Sequence, residues 1–180
     1  CNTTLPDPTP ISFSISQSQI DAFKAEANAG TQITGPVEIS WDTVTYNNPT
    51  KITGNLTVYG DLRLKGTLYV TGTLLVDIGG TISVDPSMGA TSVAVIVDGT
   101  VLFDNGAEGL GSGHVNSHLT VISTSSSTSP SAIEVSSGST SAMFFAPNGT
   151  TTMDTGGNAS YIGGRRVIIQ YSIVDGLSLN

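Results

Sequence analysis

His114 and His118 stand in an H-x-x-x-H spacing, which on a helix would turn two imidazoles to one side and begin a zinc site. Their flanks, "GLGSG" and "LTVIS", are loop and strand sequence, and no third ligand lies nearby. The two histidines are therefore expected on an exposed loop, with no metal and no other cofactor. Asp98, Asp104 and Glu108 offer carboxylates of the kind that cleave glycosidic bonds in pairs. Asp98-Gly99 and Asp104-Asn105-Gly106 are equally the chemistry of tight turns, the reading preferred here. Arg165-Arg166, after Gly163-Gly164, could meet an anion but suits a solvated corner. Cys1 is the single cysteine, so no internal disulfide can form. A first-residue cysteine followed by "NTTLPDPTP" also fits a lipid-modified anchor with its tether. No nucleophile elbow, phosphate loop or dinucleotide fingerprint occurs. The expected catalytic set is empty, and Asp104, Glu108, His114 and His118 remain as candidates for surface recognition.

What could position such residues is written in "GNLTVYGDLRLKGTLYVTGTLLV", residues 54–76. Glycine recurs at 54, 60, 66 and 72, and each is followed at fixed offsets by an apolar pair: Leu56/Val58, Leu62/Leu64, Leu68/Val70 and Leu74/Val76. Four extended residues point two side chains to one side, and a glycine at the corner lets the chain turn without a Cβ clash. Three such faces make a rung of about eighteen residues, stacked on the next at about 4.8 Å. Residues 54–71 form one rung on this reading, with Leu74 over Leu56 and Val76 over Val58. Short alternating segments continue through "VAVIVDGTVLF", "HLTVIST", "SAIEV", "AMFFAPNGTTTM" and "ASYIGGRRVIIQYSIV". The expected fold is all-β, a right-handed parallel β-helix of six or seven rungs. Residues 104–118 and 123–132 are expected as loops projecting from it.

One segment has helical rhythm. Ser16 and Gln19 form a capping box, Ile15 and Ile20 a hydrophobic staple, and Ile20, Phe23 and Ala27 one apolar stripe ended by Gly30. This places an extended linker over 1–15, a capping helix over 16–30 that closes the first rung, and the solenoid over 31–180. The chain's 180 residues carry a net charge of −8 with only six Lys and Arg. Nucleic acid is excluded as a partner, because no cation cluster exists to neutralise phosphates. No apolar run is long enough to span a bilayer.

The elements "ISQSQIDAFKAEA", "GPVEI…PTKITGNLTVYGDLRLKGTLYVTGTLLV", "VAVIVDGTVLF", "LTVISTS", "AIEV", "AMFFAPNGTTTM" and "GNASYIGGRRVII" resemble, in order, the β-solenoid domain of bacterial pilus-assembly (PilX-like) surface proteins. A more distant similarity is to bactofilins, solenoids that polymerise end to end. The resemblance implies a non-enzymatic structural or adhesive module, extracellular on a bacterial cell surface or pilus. Its partners would be other pilus or surface proteins, surface or host glycans, or further copies of itself end to end. The alternatives are a polysaccharide-binding or polysaccharide-degrading β-helix, and a lipoprotein attached through Cys1.

Overall fold

The computed structural model describes residues 15–136 and 141–170, together with the backbone of 173–174 and 177–179. Cys1 and the Pro-rich stretch to residue 14 lie outside the described residues. Helix α1 (Gln17–Ala29) opens the described chain. The first rung is β1 (Thr31–Thr34), β2 (Val37–Ile39) and β3 (Thr43–Tyr46). The second is β4 (Thr50–Thr53), β5 (Leu56–Val58) and β6 (Asp61–Leu64); the third is β7 (Leu68–Val70), β8 (Leu74–Val76) and β9 (Thr81–Val84). The fourth is β10 (Val93–Val97), β11 (Val101–Phe103) and β12 (Glu108–Leu110). Then follow β13 (Leu119–Ser123), β14 (Ile133–Val135), β15 (Met143–Met153), β16 (Asn158–Ala159), β17 (Tyr161–Ile169), β18 (Ile173–Val174) and β19 (Leu177–Leu179).

Every strand pairing between rungs is parallel, so the chain coils as a β-solenoid. The first face stacks β1, β4, β7, β10, β13 and β15; the second stacks β2, β5, β8, β11, β14 and again β15, which is long enough to run along both. The third face is a separate sheet of β3, β6, β9 and β12. Counting β17 and β19, the first face carries eight strands, more than the expected rung number.

Register follows the hexads. Leu74 pairs with Leu56 and Val76 with Val58, and the column continues to Val101 and Phe103, then Ile133 and Val135. Leu56, Leu62, Leu68 and Leu74 are buried, as is almost every second residue along the strands. Phe103 and Phe144 meet edge to face at 5.2 Å inside the coil. Burial of each such side chain stabilises by about 1.5–3 kcal/mol, and only stacking supplies it, since a single rung has no second layer.

At the corner between the first and second faces Gly35, Gly54, Gly72 and Gly99 form a column. A Cβ on Gly72 would lie 2.7 Å from the carbonyl carbon and oxygen of Gly54, and one on Gly99 would lie 2.6 Å from the Gly72 oxygen. The N–H of Gly72 donates to Gly54 O at 3.0 Å, and that of Gly99 to Gly72 O at 2.9 Å. Close approach of successive rungs therefore explains Gly72, whereas Gly54 also needs its φ of +128°.

The helix has the expected extent and the expected cap: Ser16 Oγ accepts from the Gln19 N–H while Gln19 Oε1 accepts from the Ser16 N–H. Its placement differs from the expectation of a lid on the first rung. Helix α1 lies along the outside of the first face, over β4, β7 and β10 as well as β1. Ile20 and Ala27 pack there on the outward-pointing Tyr69, Ala94, Ile96 and Ile122. This explains why all five residues of β10 are buried: Val93, Val95 and Val97 face the interior, and Ala94 and Ile96 lie on the flank that α1 covers. Of the inward side chains of the first rung, Ile39 is buried, while Ile33, Val37, Val44 and Tyr46 are only half-buried; among the described residues no strand pairs with the outer edge of this rung.

Candidate functional site

Two insertions in the coil meet on the third face. Between β9 and β10 the chain makes a short 3-10 turn, Pro86–Met88, whose Asp85 carboxylate accepts from the Ser87 N–H at 3.0 Å. The Ser87 side-chain and backbone hydrogen bonds, aided by Lys65 and Arg63, hold the Asp85 carboxyl below its usual range. The second insertion is narrower than expected from sequence. Of residues 104–118, Glu108–Leu110 form strand β12, paired with Thr81–Ser83 of β9. Its inward position is Gly109, so it lacks the apolar signature that marks the other strands. The loop proper is 111–118.

Serines tie this loop to its neighbour. The Ser112 hydroxyl donates to Gly89 O, the Ser117 hydroxyl to Thr91 O at 2.8 Å, and the His118 N–H to Ser92 Oγ at 3.1 Å. Ser117 Oγ also accepts from the Ser112 N–H at 3.0 Å, which closes the loop on itself. The result is an open groove of about 500 Å³, lined by Arg63 and Ser83 of the third face, Pro86 of the first insertion, and His114, Val115 and His118 of the loop. Ser141 and Ser160 reach its far side. Val115 is 83% exposed. His114 Nδ1 accepts from the Asn116 N–H at 3.2 Å.

The structure thus brings His114 and His118 together in one groove. Glu108 stands on the same face in the outward column of Thr43, Asp61 and Thr81, beside the groove and not lining it. Asp104 belongs to a turn: its Oδ1 accepts from the Asn105 N–H at 2.8 Å and the Ser136 hydroxyl at 2.9 Å, and its carbonyl accepts from the Ala107 N–H. Among the described residues no group of three His, Cys, Asp or Glu could hold a metal ion. Arg165 and Arg166 are exposed where β17 passes from the first face to the second. Among the described residues no helix is long and apolar enough to cross a membrane.

Asp98 does something the sequence reading did not foresee. It accepts from Lys24 Nζ of α1 at 2.5 Å, from the Tyr69 hydroxyl at 2.5 Å and from the Thr124 hydroxyl at 2.8 Å. Lys24 Nζ also sits 5.1 Å from the centre of the Tyr69 ring. Partial burial pushes the Asp98 carboxyl up, but the three hydrogen bonds outweigh it and hold the group below its usual range. Burial, with the Asp98 hydrogen bond and charge, pushes the Tyr69 hydroxyl up to about 12. This cluster is a latch that fastens the helix to the first face. Asp98 and Asp104 stand at opposite ends of β11, so they do not converge on one bond as a glycosidase pair must.

A second cleft, about 280 Å³, lies under α1 between Ile15, Phe23, Met88 and Ala94, with Glu26 and Lys65 at its rim. Glu26 is committed there to the Thr67 hydroxyl at 2.7 Å. No protein-family model, curated protein or solved structure matches the chain.

Proposed function

We infer that the chain is a non-enzymatic structural and adhesive module of a bacterial cell surface or type IV pilus-associated protein, and that the groove on the third face is where it contacts a neighbouring surface protein. The observation that carries this reading is the groove itself. Two insertions interrupt an otherwise regular coil, fold against each other through serine hydrogen bonds, and present Arg63, His114, His118 and Val115 on a pre-formed surface. Loops held by a rigid scaffold are where recognition concentrates.

The environment of Asp98 and Tyr69 supports a structural reading, since their hydrogen bonds go to fastening the helix. The likeness to pilus-assembly surface proteins, resting on the residues quoted above, supplies the cellular setting. The test is antibody labelling of intact and permeabilised native cells with serum raised against the folded chain. Labelling of intact cells is the expected result; labelling only after permeabilisation would overturn the assignment.

A further inference from the structure

The corner between the second and third faces carries large apolar side chains that the fold does not require. Trp41 follows β2 with φ +60° and is 74% exposed; Ile78 follows β8 with φ +51° and is 53% exposed. Both sit in the left-handed region, which is uncommon for any side chain and a marked outlier for a β-branched one. The next rung shows what the corner itself needs. Asn105 occupies the position equivalent to Ile78, in the same conformation at φ +49°, and is the polar residue that tolerates it best. The Gly79 N–H donates to Asn105 O at 3.0 Å and Asn105 Nδ2 donates to Asp77 Oδ1 at 2.8 Å, so the two corners are stacked directly. Trp41 and Ile78 therefore cost conformational energy while Trp41 stays mostly exposed and Ile78 about half exposed, which is the pattern of strain kept for a function.

Trp41 and Ile78 stand two rungs apart, about 10 Å along the coil, with half-buried Tyr59 between them at the end of β5. The charged groups beside this ridge are carboxylates, and the Thr43 hydroxyl donates to Asp61 Oδ2 at 3.3 Å. Asp42 flanks Trp41, Asp77 flanks Ile78, and Glu38, Asp61 and Thr43 complete the setting. The nearest cation on the adjoining face is Arg63, two residues further along β6. Carboxylates lining a ridge on a chain of net charge −8 repel phosphate polymers, anionic bilayers and further copies of the chain. They accept hydrogen bonds from uncharged hydroxyls.

We propose that the Trp41–Tyr59–Ile78 ridge binds a neutral polysaccharide, with sugar rings laid on the indole and on Ile78 and their hydroxyls donating to Asp42, Asp61 and Asp77. A rung spacing close to the length of one pyranose unit lets an extended glycan run along the corner in register with the coil. The proposal deepens the adhesive reading and rests on it, while using a surface separate from the groove.

Trp41 is the only tryptophan, so its fluorescence reports on this corner alone. The experiment titrates the purified chain with cello-, xylo-, laminari- and chito-hexaose, and measures retention on insoluble cellulose and chitin. Saturable change in Trp41 emission with at least one hexaose is expected. Ile78→Asn, read by Trp41 emission and by retention, and Trp41→Asn, which has no tryptophan and is read by retention, should each weaken binding at least tenfold. Both should melt at the same temperature as the wild type or higher, because asparagine relieves the strain. Absence of any fluorescence change and retention that the variants leave intact would overturn the proposal. So would an emission shift that tracks protein concentration or anionic vesicles in place of the sugars. Surface labelling of cells is independent of these outcomes, so failure here leaves the proposed location standing.

Discussion

Gly72→Ala separates two explanations of the glycine repeat. The backbone at Gly72 is not left-handed, so conformational freedom does not require glycine there. Its added Cβ would stand 2.7 Å from the Gly54 carbonyl, 0.7 Å inside the 3.4 Å at which ordinary contact begins, and 2.2 Å from Asn55 Oδ1. Asn55 can swing aside only by giving up the bond its Oδ1 accepts from the Thr73 N–H at 3.0 Å. Overpacking costs about 1–3 kcal/mol, a lost hydrogen bond about 1 kcal/mol, and alanine returns about 0.4–1 kcal/mol through the unfolded chain. The net expectation is a loss of about 1–3.6 kcal/mol, with its middle at about 2.3 kcal/mol. Gly79→Ala is the control, because nothing lies within 4 Å of its Cβ and only its φ of +74° penalises alanine. That penalty is about 1–2 kcal/mol, and after the same entropy correction the net loss is about 1 kcal/mol. In thermal melts the two variants should fall by about 5–10 °C and 2–4 °C respectively. Urea titration with an unchanged m-value checks that stability and not compactness has moved. Equal losses, or a larger one at Gly79, would refute close approach between rungs as the reason for the repeat.

Ile20→Ala, which empties a buried contact between α1 and the first face, should cost about 2–5 kcal/mol of helix docking. It should open residues 17–29 to protease before the solenoid. The latch should respond to pH at both ends. The Asp98 carboxyl lies below its usual range in the folded chain, so its contribution is present above the ordinary carboxylate pKa and is lost as pH falls through the lowered value. Tyr69 is pushed up to about 12, so its contribution is intact below pH about 10 and fades as pH rises toward 12. Hydrogen exchange of α1 across this range should show both losses, and Asp98→Asn should abolish the acid one. Thr150 Oγ1 is buried and, among the described residues, has no hydrogen-bond partner. Thr150→Val should therefore raise stability by about 1 kcal/mol, read as a higher urea midpoint.

The coil was legible because its signal is repeated. Glycines 54, 60, 66 and 72 with their apolar pairs give the same instruction four times, and Leu56/Leu74 and Val58/Val76 pair in the expected register. The capping box at Ser16 and Gln19 was equally local and equally readable. What escaped was long-range. The position of α1 depends on Tyr69, Ala94 and Ile96 being apolar on the outward side, a pattern hidden because β10 is apolar at every position. Strand β12 was lost inside a predicted loop because its inward residue is Gly109. The 3-10 insertion was missed although Asp85, Pro86 and Gly89 carry the turn chemistry that marks one. For the site, His114 was readable as an exposed loop residue, whereas His118, also expected exposed, is half-buried at the end of its loop; Arg63 and Ser83 enter the groove only through the stacking of β6 on β9. Asp98 looked like turn chemistry, and its partners Lys24, Tyr69 and Thr124 come from three distant segments.

The most direct test of the proposed function is the binding of the purified chain to isolated surface-appendage and cell-envelope fractions of its native cells. Wild type should be compared with a variant carrying Arg63→Ala, His114→Ala and His118→Ala. The three side chains are on the surface groove, so the variant should melt within about 2 °C of wild type. Saturable binding by the wild type that weakens at least tenfold in the variant is the expected result. Binding of equal strength by both, or none by the wild type to either fraction, would contradict it.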